Sequence, residues 1–195
     1  LCIRDRQDME GKIEMILDGG PVGIGVESTI VDVSGDVPTL LRPGAITMEM
    51  LRETVGRVEI DPAIQAPPSA DLRPKAPGMK YRHYAPHADL QLVEGETDKV
   101  VETINALVKE KLAEGKKVGV ICTDETKDRF PQGEVRSVGL RAKEETIAHN
   151  LFAVLREFDD LDVDCIYSES FSKDHLGQAI MNRLTKAAGY HVLKV

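Results

Sequence analysis

The chain has 195 residues, 42% of them hydrophobic and 30% charged, with a formal net charge of −8. This is the profile of a soluble globular protein of one or two domains. It excludes a broad nucleic-acid-binding surface, which needs clustered Lys and Arg, and no apolar run nears the roughly 18–20 residues that cross a bilayer.

The chain starts at Leu1 rather than at a methionine, and its first residues lack a signal-peptide pattern. It therefore reads as a piece of something longer. A short helix is predicted over residues 9–17, followed by the glycine-rich turn Asp18-Gly19-Gly20-Pro21. A strand over residues 27–33 and a second over 39–42 come next, closed by Pro43-Gly44. Thr47 is placed to N-cap a helix running to about residue 54, and a last strand spans 57–60. Such a segment buries too little apolar area to stand alone, and residues 1–60 read as a fragment of a larger domain.

Six of the ten prolines fall between Asp61 and His87. Proline removes a backbone donor and fixes φ, so neither helix nor central strand runs through this stretch. Residues 61–87 are therefore read as a linker. Beyond it, strands are predicted at 89–93, 117–122, 134–138 and 165–168. The helices between them repeat apolar residues every three or four positions: Val100, Ile104 and Val108; Ile147, Leu151 and Leu155; Leu176, Ile180 and Leu184. This alternation implies that residues 88–195 form a small Rossmann- or flavodoxin-like α/β domain with a parallel sheet. Cys122 and Cys165 sit in apolar strand candidates, and with Cys2 they are too scattered for a disulfide framework or a zinc site. Reduced core thiols fit a cytoplasmic protein.

Candidate chemistry comes mostly from the front half. The glycine-rich run 19–25 suits phosphate approach, but it lacks a P-loop ending and leads into a strand, so a plain turn is the simpler reading. In Glu27-Ser28-Thr29-Ile30-Val31-Asp32, hydroxyls open an apolar strand, where they can donate to a carboxylate or phosphate. Arg42, closing a strand before Pro43-Gly44, suits a surface snorkeller and a phosphate clamp equally. Lys80-Tyr81-Arg82-His83-Tyr84 sets cations beside aromatics, which suits base stacking or a tether packed between domains. Nothing in 88–195 looks catalytic. His149 and His175 lack partners at metal-ligand spacing, and Asp159, Asp160, Asp162 and Asp164 read as solvated charge.

Taken together and in order, three blocks resemble the two-domain form of the YrdC/YwlC-type threonylcarbamoyl-AMP synthases. They are Asp18-Gly19-Gly20-Pro21 leading to the Glu27–Asp32 block, then Leu41-Arg42-Pro43-Gly44-Ala45-Ile46, then Pro77-Gly78-Met79-Lys80-Tyr81-Arg82-His83-Tyr84-Ala85-Pro86. The stretch from His175 to Ala188 resembles the closing helix of that family's extra C-terminal domain. The resemblance implies a partial YrdC-like domain, a linker and a C-terminal domain. It also implies synthesis of threonylcarbamoyl-AMP from L-threonine, bicarbonate and ATP, with Mg²⁺, for modification of tRNA adenosine 37, alongside transient tRNA-modification partners. Ser28 would contact threonine, Arg42 the nucleotide phosphates, and Tyr81 the nucleotide from the linker. The family's Lys-x-Arg and Ser-x-Asn motifs have no matching block here, so the chain by itself is expected to be inactive. The competing readings are a non-catalytic regulatory or partner-binding module and an RNA-binding translation factor.

Overall fold

The computed structural model describes residues 9–20, 22–64, 75 and 85–195. Most of the predicted linker, including Lys80 to Tyr84, lies outside them. The front segment forms a small mixed sheet of β1 (Ile30–Asp32), β2 (Thr39–Arg42) and β3 (Glu59–Ile60). β1 and β2 run antiparallel, while β2 and β3 are parallel. Helix α1 (Met48–Val55) begins at Thr47, whose hydroxyl accepts from the Met50 amide at 3.4 Å, as its position predicts. Leu40, Met48, Val58 and Ile64 form a small core beneath this sheet.

Two expectations for this segment are corrected. Residues 10–14 are turn and bend and 15–17 are irregular, rather than helix. Met15 and Leu17 are 73% and 84% exposed, so no buried stripe supports a short helix that is marginal by itself. The first strand is shorter than the predicted 27–33. Its leading residues are drawn out of the ladder by bonds to Arg42 and Ile46, and the pairing is irregular at Ile30 and Val31.

The remaining strands are β4 (Asp89–Glu94), β5 (Val118–Cys122), β6 (Glu134–Ser137), β7 (Cys165–Glu169) and β8 (Val192–Lys194). They form one parallel, Rossmann-like sheet in the order β6-β5-β7-β4-β8. Helix α2 (Thr97–Ala113) carries the chain from β4 to β5, α3 (Glu144–Asp160) from β6 to β7, and α4 (His175–Ala187) from β7 to β8. One face of the sheet packs Val93, Val118, Val120 and Tyr167 against Val100, Ile104 and Val108 of α2. The other packs Leu90, Leu92, Ile121 and Ile166 against α3 and α4, through residues such as Leu151, Leu155, Ile180 and Leu184. Each helix therefore buries the stripe its spacing predicts. The edge strand β8 has no counterpart in the sequence reading, because three residues show no period.

The thiols behave as core groups. Burial pushes Cys122 up to about 12 and raises Cys165 as well. In the acidic run at 159–164, Asp160 and Asp162 are exposed as read, whereas two members take structural bonds. Asp159 accepts from the His87 amide at 2.7 Å, and Asp164 from the Lys117 amide at 2.7 Å.

Candidate functional site at the sheet–helix junction

Arg42 ends β2 opposite Ile30, which brings its side chain to the residues just ahead of β1. Its Nε donates to the Ser28 carbonyl at 2.9 Å, and Nη2 reaches the Ser28 hydroxyl at 3.5 Å. The carbonyl is the firm anchor, since 3.5 Å is the outer limit of a hydrogen bond. Ser28 itself stays exposed. The Thr29 hydroxyl is engaged on both sides, donating to the Ile46 carbonyl at 2.7 Å and accepting its amide at 3.1 Å. Gly44 closes the corner. A Cβ there would sit 2.4 Å from the Glu27 carbonyl oxygen and 2.5 Å from the Thr29 amide nitrogen, so only glycine fits.

Helix α4 reaches this corner from the parallel-sheet layer. Arg183 is 5% exposed and spends its guanidinium on three acceptors. Nε donates to Glu27 Oε2 at 2.5 Å, Nη1 to Asn182 Oδ1 at 2.7 Å, and Nη2 to the Pro43 carbonyl at 3.1 Å. Asn182 donates in turn to the Ile64 carbonyl at 3.2 Å. Burial alone would raise the Glu27 carboxyl, but the charge and hydrogen bond of Arg183 outweigh it and hold Glu27 below its ordinary value. Lys186 is lowered to about 8, first by burial and then by Arg183 and Arg42, with Glu27 opposing. Arg42, Arg183 and Lys186 all lie within electrostatic reach of Glu27.

The structure brings Ser28 and Arg42 together, while Tyr81 lies outside the described residues. Arg42 is half-buried and turned onto Ser28. The glycine run is coil, and Gly25, at φ 78°, presses against the Ala148 and His149 backbone of α3. Sequence reasoning gave no role to Glu27, Asn182, Arg183 or Lys186. The signal for the last three was a second, polar stripe on α4 at positions 182, 183 and 186, on the flank of its apolar face. His149 and His175 are exposed, with His175 Nδ1 lying 3.6 Å from Glu49.

Among the described residues no group of three or more His, Cys, Asp or Glu is placed to hold a metal. Glu27, the carboxylate at the junction, is already committed to Arg183, so these residues do not fit Mg²⁺. A separate polar knot lies at the carboxyl ends of β5 and β7. There Glu169, 1% exposed, accepts from Arg141 Nη2 at 2.7 Å and from the Thr123 amide at 3.2 Å.

The family model described as "Threonylcarbamoyl-AMP synthase, C-terminal domain" matches residues 46–189. The chain is 44% identical over 187 residues to a threonylcarbamoyl-AMP synthase of Bacillus subtilis, covering 96% of this chain and 52% of that protein. It is 46% identical over 189 residues to one from Pyrococcus abyssi, covering 97% and 53%. It also aligns with the crystal structure of P. abyssi Sua5 complexed with L-threonine, at a TM-score of 0.89 and 44% identity, over 100% of this chain and 55% of that one. The chain thus spans about half the length of the relatives it matches. No described helix is long and apolar enough to cross a membrane. By these matches, with the parallel sheet and closing helix that the motifs predict, the chain belongs to the threonylcarbamoyl-AMP synthase family.

Proposed function

We propose that this chain is part of an enzyme that makes threonylcarbamoyl-AMP from L-threonine, bicarbonate and ATP, for the modification of tRNA adenosine 37. In this reading the threonine amine attacks bicarbonate with loss of water to give a carbamate, a carbamate oxygen attacks the α-phosphate of ATP, and pyrophosphate leaves. The Ser28 hydroxyl donates to the bound threonine, and Arg42 offers positive charge to the nucleotide phosphates. The observation that carries the reading is the Arg42–Ser28 contact, which sets a guanidinium beside an exposed hydroxyl. Positioned charge of this kind favours a transition state in which phosphate charge is redistributed. Tyr81 is proposed to reach the nucleotide from the linker, and Mg²⁺ to enter only as the counter-ion that ATP carries.

Residues 1–60 are proposed to be the end of a YrdC-like catalytic domain, 61–87 a proline-rich linker, and 88–195 a separate domain, in a cytoplasmic enzyme with transient tRNA-modification partners. Exposed apolar surface supports this. Of the eleven large apolar side chains exposed among the described residues, all but Val195 lie between Met9 and Val55. Surface of this kind is normally covered by other protein. The test is an assay with labelled bicarbonate, L-threonine and ATP. A polypeptide of the relatives' full length containing this chain is expected to form labelled threonylcarbamoyl-AMP, and the 195 residues alone are not. No product from the full-length polypeptide would refute the activity, and turnover by the 195 residues alone would refute the division of the site.

A further inference from the structure

Ser28 lies outside any ladder, while Arg42 is held in one only at its end, opposite Ile30. Ser28 precedes β1, and Arg42 is the last residue of β2. Their neighbours are Glu27 on one side and Pro43 on the other, and one guanidinium from α4 holds both. We infer that Arg183 is a positioning residue: from the parallel-sheet layer it holds the Ser28–Arg42 face in its binding geometry. That this face takes L-threonine and nucleotide rests on the function proposed above.

Three observations carry the inference. First, Arg183 engages side chain and backbone at once, the Glu27 carboxylate and the Pro43 carbonyl. A planar fork of donors can span two acceptors in fixed geometry, whereas a lysine ammonium is a single point. Second, the guanidinium is 5% exposed, so removing it leaves Glu27 Oε2 and the Pro43 oxygen short of a buried donor. Third, the neighbouring Asn182 both accepts from Arg183 and donates to the Ile64 carbonyl. The helix therefore grips the front segment ahead of Ser28, behind Arg42 and at Ile64. Simple glue between two layers would not need to converge on the residues flanking one contact.

The inference separates from the function it serves. In the chain itself, Arg183→Met is expected to speed exchange of the Ile46 amide, which donates to the Thr29 hydroxyl, by at least about tenfold, since opening there becomes local and cheap. Exchange in β4, β5 and β7 should stay unchanged. Should that variant fail to fold, Glu27→Gln removes the charge partner and serves as the same comparison. In the full-length polypeptide, Arg183→Met is expected to raise KM for L-threonine by about tenfold while kcat changes by less than about threefold. Arg183→Lys should recover part of the loss through Glu27 alone. Exchange at Ile46 that matches the wild type would overturn the positioning role. Faster exchange with an unchanged KM for threonine would leave Arg183 a positioning residue and remove Ser28 as the threonine contact.

Discussion

A single glycine sets the spacing of the candidate site. The backbone at Gly44 lies so close to residues 27–29 that a methyl group there meets main chain rather than a movable side chain. Gly44→Ala is therefore expected to push the Ser28 and Arg42 segments apart and to cost about 1–3 kcal/mol of stability in urea unfolding, the usual scale for overpacking. The Arg42 Nε–H should lose its hydrogen-bonded NMR shift at the same time. A variant of wild-type stability with that shift retained would mean the corner is slack. At this scale the sequence was informative where polar residues interrupt an apolar pattern, as Ser28 and Arg42 do. It was silent on Arg183, whose acceptor Glu27 lies 156 positions away. On a helix an arginine beside the apolar stripe reads as solvated, and only the tertiary fold brings a carboxylate to it.

Elements were most legible where burial and period agree. The predicted β2 is observed residue for residue, and α2, α3 and α4 bury the faces their apolar spacing marks. They were least legible where length or tertiary support fails. Ile13, Met15 and Leu17 are exposed, and β8 is too short to show alternation. The two large cores draw their buried residues from 88–188, with Val26 packed on as a half-buried neighbour. Residues 88–195 should therefore fold by themselves, as a domain within the ordinary size range. A truncated chain starting at residue 88 is expected to melt in one cooperative transition, at a lower temperature than the whole because Asn182 and Arg183 lose Ile64, Glu27 and Pro43. A broad, non-cooperative melt by calorimetry would contradict that autonomy.

At the scale of the molecule, a parallel-sheet layer carries a small mixed sheet on the far end of α4. The contacts that join them include Val26 packed on the large core and the polar set of Arg183 to Glu27 and Pro43 and Asn182 to Ile64. The small sheet presents the Ser28–Arg42 face together with exposed apolar side chains, and the chain spans about half of its relatives' length. The proposed binding face, shared between this chain and the rest of a longer polypeptide, would account for both. The most direct test is the affinity of a full-length polypeptide for L-threonine, measured by titration calorimetry before and after Ser28→Ala. Loss of one hydrogen bond to a charged group predicts binding weaker by about tenfold or more, with a melting temperature shifted by less than about 2 °C. Unchanged affinity in a folded variant would contradict the account, because the exposed hydroxyl at the centre of the site would then touch no substrate.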